Sequence, residues 1–221
     1  MIRDPQTVVI LSGGKSLNFA DVEYCRDKAT VIAVNTAYQA APWAYAMYAR
    51  DLEWWLATPS EVFKPNCSGW VGVPNTLPHS VLAIRDFGGQ RWTGCEKAAD
   101  KFGLRYVQTR TGGGLSVQSG VIHTGEAAGA SSGYQAVNLA ITEFHAKRIL
   151  LLGFDMLGGH WNGDHPAPCA NLTNAQYAPF AQTFNSMVKP LADLGVEVVN
   201  CALRSLITCF RFSTVQAELP K

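Results

Sequence analysis

Apolar residues in this chain fall into short unbroken runs, each closed by glycine or a polar residue. Residues 7–11 (TVVIL) lead into Ser12-Gly13-Gly14, and residues 30–34 (TVIAV) stop at Asn35. Residues 44–48 stop shortly before Arg50-Asp51, and residues 149–152 contain no polar side chain and end at Gly153-Phe154-Asp155. Residues 196–200 form the last clear run. Runs of this length without alternation suit parallel strands buried on both faces. Residues 71–85 read as strand and turn, and 105–109 as a further strand. Helical spacing predicts helices over 18–26, over a short segment carrying Trp54 and Trp55, over 132–144, over 175–194 and over 203–210. Pro179 falls early in the 175–194 helix and Pro190 near its end.

Strands alternating with helices predict an α/β fold: a Rossmann-like, mostly parallel sheet with helices on both faces. No internal repeat or domain boundary interrupts it. The expectation is one nucleotide-binding transferase domain over 1–213, with a patternless tail over 214–221. Residues 87–129 carry the weakest pattern. They include Gly112-Gly113-Gly114, Gly120, Gly125 and Gly129, and are read as a lid or a glycine-rich loop insertion.

Composition narrows the class. Hydrophobic residues make up 48% of the 221 positions, enough for a substantial core. Net charge is +1, so no global field favours nucleic acid or an anionic membrane. No apolar run reaches the ~18–20 residues of a membrane span. The first run, with Asp4 before it and Gly13-Gly14 after it, is short for a signal peptide. Cys25, Cys67, Cys95, Cys169, Cys201 and Cys209 are scattered without a C-x-x-C pair, which predicts reduced thiols in a cytoplasmic protein.

In an open parallel sheet, ligands bind beyond the carboxyl ends of the strands. Ser12, Gly13, Gly14, Lys15, Ser16, Asn35, Arg50, Asp51, Gly153, Asp155, Asn200 and Ser205 fall at such ends. The Ser12–Ser16 turn contains G-K-S, but Val9 stands where a P-loop needs its first glycine, and G-x-G-x-x-G is absent. What remains is a tight turn whose N–H groups could meet an anion at a helix start, with Lys15 adding charge. Ser131-Ser132-Gly133 opens a helix and reads either as a second donor set or as an N-cap. Asp155, His160, Asn162, Asp164 and His165 form the most polar stretch. A histidine general base, a metal site and an ordinary polar loop all fit it, although H-E-x-x-H is absent. His79, His123 and His145 lack polar neighbours and read as structural. Trp54-Trp55 beside Asp51 reads as core or as a stacking wall.

The segments 8–17 (VVILSGGKSL), 31–38 (VIAVNTAY), 45–55 (YAMYARDLEWW), 131–155 (ending AKRILLLGFD) and 196–210 (VEVVNCALRSLITCF) occur in an order that resembles one superfamily. It comprises the family 42 sialyltransferases and the related domain of archaeal 6-hydroxymethylpterin diphosphokinases. Phage-encoded members look most similar, and Asp51 with its Trp-Trp is a feature of that type. The resemblance implies that Gly13, Gly14, Ser16, Asn35, Ser132 and Gly133 hold a cytidine nucleotide sugar. It implies a general base at His165, with His160 as the alternative. The family turn usually has proline where Lys15 stands. The expectation is a transferase with a nucleotide-activated donor, most simply a glycosyltransferase, whose acceptor is a small molecule or glycan. Modified nucleic acid stays open as acceptor, as does a homo-oligomeric assembly. The alternatives are a Mg²⁺-dependent diphosphokinase using Asp51 and Asp155, and a non-catalytic nucleotide-binding protein. Only the diphosphokinase would call for a cofactor, Mg²⁺.

Overall fold

The structure, a computed structural model, describes residues 6–57, 87–125, 131–163 and 172–220. The strand and turn expected over 71–85 lie outside the described residues, as does His79.

Strands β1 (Thr7–Leu11), β2 (Thr30–Val34) and β3 (Ala46–Tyr48) form where the apolar runs predict them. Between them lie helix α1 (Phe19–Tyr24), capped by the Asn18 side chain, and a 3-10 turn over Asn35–Gln39. Helix α2 (Leu52–Ala57) follows β3. The chain then adds β4 (Gln90–Thr93), α3 (Glu96–Phe102) and β5 (Arg105–Tyr106), followed by β6 (Gln108–Arg110) and β7 (Val121–His123). Helix α4 (Ser132–Thr142) and strand β8 (Arg148–Leu152) come next, then α5 (Asn174–Thr183), α6 (Asn185–Asp193) and β9 (Glu197–Asn200). A short β10 (Arg211–Phe212) and α7 (Val215–Glu218) complete the described elements.

Eight strands make one sheet in the order β10-β9-β8-β1-β2-β3-β4-β5, and every neighbouring pair is parallel. Side chains alternate between its faces. Val8 and Ile10 of β1 join the core formed with α4 and α6, through Tyr134, Leu139, Phe184 and Met187. Val9 and Leu11 join the core on the other face, with Val22, Trp54, Trp55 and Val215. Both faces are therefore covered, which is why the central strands carry no polar alternation. The fold is the predicted Rossmann-like α/β sheet. Among the described residues no helix is long and apolar enough to cross a membrane.

The sequence reading departs from the structure at several elements. Residues 90–106 are no appendage: β4, α3 and β5 extend the main sheet by two strands. Residues 108–123 form a separate two-stranded parallel sheet, β6 with β7. This segment is fastened to α4 by buried polar groups. Asn138 accepts from the N–H groups of Ser116 and His123 and donates to the Ser116 carbonyl, and the Tyr134 hydroxyl meets both N–H and C=O of Gly114. The single helix expected over 175–194 is two helices that break at Phe184, whose ring is fully buried against Tyr134, Phe154 and Phe210.

The helix expected over 203–210 does not form. Its backbone and neighbouring polar groups bond to distant partners instead: Leu206 N–H to the Asp155 carbonyl, the Ser205 hydroxyl to the Phe154 carbonyl, and Asn200 to the Ile207 carbonyl. The segment read as a tail is part of the domain. Val215 and Leu219 are buried, and Arg148, Arg211, Glu197 and Glu218 join β8, β9, β10 and α7 in one charge cluster.

Within that cluster, hydrogen bonding from Arg211 holds the Glu197 carboxyl below the usual carboxylate range, with Arg148 assisting. A carboxylate held low stabilises the fold above its ordinary pKa and loses that contribution as pH falls through the lower folded value. Arg211 and Glu197 are about half exposed, and the buried Glu218 side chain keeps Arg148 as a partner, so Arg211→Ala is expected to cost only about 1 kcal/mol near neutral pH. In denaturant titrations the difference from wild type should shrink toward acid. An equal loss at about pH 7 and about pH 3 would contradict this.

Candidate functional site

Strand succession runs one way from β1 through β2 to β3, and the other way from β8 through β9 to β10. The two directions part between β1 and β8, and there the loops leaving the sheet open a crevice. A cleft of about 200 Å³ lies at this carboxyl edge.

The turns that follow β1 and β8 are bonded into one unit. Ser12 N–H donates to the Leu152 carbonyl at 2.8 Å, and Gly14 N–H to the Gly153 carbonyl at 3.0 Å. Asp155, 3% exposed, accepts from Ser16 N–H at 2.7 Å on one carboxylate oxygen. Its other oxygen accepts from Leu157 N–H at 3.1 Å. Gly14 is needed here for closeness: a Cβ would stand 2.4 Å from the Gly153 carbonyl oxygen and 2.5 Å from Asp155 Oδ2. Gly153 sits at φ +73, and a Cβ there would meet the Ser12 carbonyl oxygen at 2.3 Å.

Most of the predicted residues converge on the cleft. Ser12, Gly13 and Gly14 line it from β1, Asn35 from β2 and Asp51 from β3. Ser131, Ser132 and Gly133 line it from the start of α4, and Gly153, Asp155 and His160 from beyond β8. Lys15 and Ser16 do not line it. Ser16 gives its N–H to Asp155, and the Lys15 side chain lies against Gly159, where a Cβ would come within 2.5 Å of Lys15 Cε. Asp164 and His165 lie outside the described residues.

The donor chemistry differs from the sequence expectation. In the β1 turn, the N–H groups of Ser12, Gly14, Ser16 and Leu17 are used within the fold. Those of Gly13 and Lys15 have no hydrogen-bond partner among the described residues. The Ser131 hydroxyl caps α4 by accepting from Tyr134 N–H, so the N-cap reading holds. The N–H groups of Ser132 and Gly133 belong to the first turn, which has no intrahelical acceptors, at the positive end of the helix dipole.

Asn35 occupies the left-handed region at φ +51, a conformation asparagine tolerates better than most residues. Partial burial pushes the Asp51 carboxyl up, with Arg50 opposing and Glu53 adding to the shift.

His160 is held from two sides. Its Nε2 lies 3.3 Å from the Tyr177 hydroxyl, and a Cβ at Gly13 would stand 2.9 Å from its Cδ2. The next residue, Trp161, donates its N–H to the Gly13 carbonyl and is buried against Phe19. Burial and the Asp155 carboxylate both raise the Tyr177 phenol, so it stays protonated well above neutral pH.

Trp54 and Trp55 are core residues, 4% and 3% exposed, and form no stacking wall. The Trp55 indole donates to the Ala49 carbonyl and Trp54 meets Tyr38 edge-on. His123 lies on β7 and His145 on the surface after α4, both outside the cleft lining. Among the described residues no group of three or more His, Cys, Asp or Glu could hold a metal ion. Cys25, Cys95, Cys201 and Cys209 are free thiols, and burial pushes Cys25 up to about 12, which keeps it inert.

Sequence reading placed Arg50 at this edge beside Asp51 without a role and missed Thr36, Tyr177 and Phe180, all of which line the cleft. Asn200 and Ser205, expected at the same edge, bond to backbone within the fold and do not line it. The spacing of Tyr177 and Phe180, three apart on a helix after a polar loop, was the available signal.

Strand order and cleft position define a Rossmann-like α/β protein with its crevice at the switch point. Compared with known proteins, the chain matches no protein-family model, no curated protein and no solved structure.

Gly14→Ala is expected to destabilise by about 1–3 kcal/mol, because backbone and an anchored carboxylate receive the new methyl. Gly88→Ala meets nothing within 4 Å and serves as control. Equal melting temperatures for the two variants would contradict the bonded-turn account.

Proposed function

We propose that the cleft binds the phosphate of a nucleotide-activated donor and that the protein transfers the activated group, most simply a sugar, to an acceptor hydroxyl. The observation that carries this reading is the convergence of two donor sets on one histidine. The N–H groups of Gly13, Lys15, Ser132 and Gly133 belong to turns lining or flanking the cleft that His160 enters with Tyr177. In the reaction, the imidazole of His160 takes the acceptor proton as the oxygen attacks the donor carbon. The bond from that carbon to the phosphate oxygen breaks, and the departing phosphate keeps the electron pair. N–H dipoles aimed at the phosphate stabilise the charge as it develops. Asn35, with no side-chain hydrogen bond among the described residues, is available to orient the donor.

A volume of about 200 Å³ is below the ~300–1,000 Å³ of whole-ligand sites. It suits the phosphate and part of the nucleoside, with the transferred group extending from the mouth. The diphosphokinase alternative is less well supported. Both Asp155 oxygens already receive N–H groups and Trp54 is in the core, which leaves Asp51 as its remaining carboxylate.

The test is a thermal-shift panel of nucleotides and nucleotide sugars with and without Mg²⁺. A ligand at a hundred times its Kd should add about 2.7 kcal/mol. Absence of stabilisation by every nucleotide would overturn the reading, and activity abolished by chelator would favour the diphosphokinase. His160→Ala should retain the shift and lose transfer, and full turnover in that variant would remove its role. Asn35→Gly is the informative substitution at that site, because glycine accepts φ +51 while the side chain is lost. It should weaken binding without lowering the unliganded stability by more than about 1 kcal/mol.

A further inference from the structure

The cleft is lined by a cation with no side-chain partner among the described residues. Arg50 follows β3, is half-buried and lines the cleft. Its backbone is held by the neighbouring strand, and its stem passes close to Gly94. The Thr93 hydroxyl donates to the Arg50 carbonyl at 3.3 Å, and Arg50 Cγ lies 3.8 Å from where a Cβ on Gly94 would stand. Its guanidinium forms no hydrogen bond and no ion pair among the described residues. Asp51, the next residue, senses its charge without pairing with it. The other carboxylate of the cleft, Asp155, is engaged by two backbone N–H groups. Lys15, the cation expected from sequence, is exposed beside Gly159 and does not itself line the cleft.

A half-buried arginine with an anchored backbone and no acceptor among the described residues is suited to an external one. Its planar fork matches the paired oxygens of a phosphoryl group. Two strand spacings of about 4.8 Å separate β3 from the turn after β1. An arginine side chain and a phosphoryl group together fill that gap.

We infer that Arg50 is the counter-charge of this cleft: it binds a phosphoryl oxyanion of the ligand across from the N–H donors, in the role that the sequence suggested for Lys15. The inference rests on the reading of the cleft as a phosphate site, and it deepens that reading. The ligand is a phosphoryl compound whose charge is met by arginine together with backbone dipoles.

The experiment measures binding to the full chain by calorimetry, with three probes: a nucleoside diphosphate, the corresponding unphosphorylated nucleoside, and inorganic pyrophosphate. Variants are Arg50→Gln, Arg50→Lys and, as a control for removing one surface charge, the exposed Lys97→Gln. Unliganded melting curves check that each is folded. Loss of a charge-assisted contact should weaken diphosphate and pyrophosphate binding by about tenfold or more in Arg50→Gln. Nucleoside affinity should stay at its wild-type value, and Arg50→Lys should recover part of the loss. Lys97→Gln should match wild type with every probe.

Unchanged pyrophosphate and diphosphate affinity in Arg50→Gln would overturn the inference. So would an equal loss of nucleoside affinity, which would indicate general damage to the cleft. If no nucleotide binds wild type while pyrophosphate binds through Arg50, the transferase reading fails and the anion site stands. If neither nucleotide nor pyrophosphate binds wild type, both fall. If Arg50→Gln does not fold, Arg50→Lys decides: diphosphate affinity below wild type with nucleoside affinity unchanged supports the contact, and wild-type diphosphate affinity that is insensitive to salt in both proteins refutes it.

Discussion

The carboxylate of Asp155 completes the junction between the turns that leave the two central strands. β1 and β8 are neighbours in the sheet, yet the chain leaves them toward opposite flanks, and no strand bonding extends past their carboxyl ends. By accepting from Ser16 on one oxygen and from Leu157 on the other, Asp155 ties the β1 turn to the β8 turn. A buried carboxylate is tolerable because both oxygens receive backbone donors. Gly14 and Gly153 follow from that closeness, since a side chain at either would push the turns apart. The cleft exists because this junction is tight below and open above.

Helix α4 is the second organising element, and it works through polar groups. Ten of its residues are buried, including Gln135 and Asn138. Gln135 accepts from the Tyr48 hydroxyl of β3, while Asn138 and Tyr134 take up the backbone of residues 114–123. Such groups are costly to bury unless bonded, and here each bond fixes a neighbour. The same helix presents its N-terminus to the cleft, so the glycine-rich segment, the sheet and the candidate donors are held by one rigid body.

The cleft's electrostatics follow from which charges are already used. Asp155 is neutralised by backbone dipoles, the Arg148–Arg211–Glu197–Glu218 cluster balances itself at the amino edge, and Lys15 lies along the 158–160 loop. Arg50 and Asp51 remain at the carboxyl end of β3. With a net charge of +1, the molecule has no long-range field, and any anion would be recognised by this local arrangement alone.

Sequence by itself determined the sheet. The runs that became β1, β2 and β8 are apolar without alternation at their centres, because a strand covered on both faces has no solvent side to record. It also determined that Ser12–Gly14, Asn35, Asp51 and Asp155 would share an edge, since parallel strands end on the same side. It did not determine β4 and α3, whose apolar faces are shallow, or α7, whose four residues are too few for a period to show. Nor did it show that 203–210 would be irregular, because partners such as Asn200, Phe154 and Asp155 that take up its polar groups lie far away or on another strand end. Tertiary structure decided between core and stacking wall for Trp54, set Lys15 beside Gly159 without lining the cleft, and left Arg50 in the lining without a side-chain partner among the described residues. Those outcomes depend on which neighbour fills each space first, and packing of that kind leaves no periodic trace along a chain.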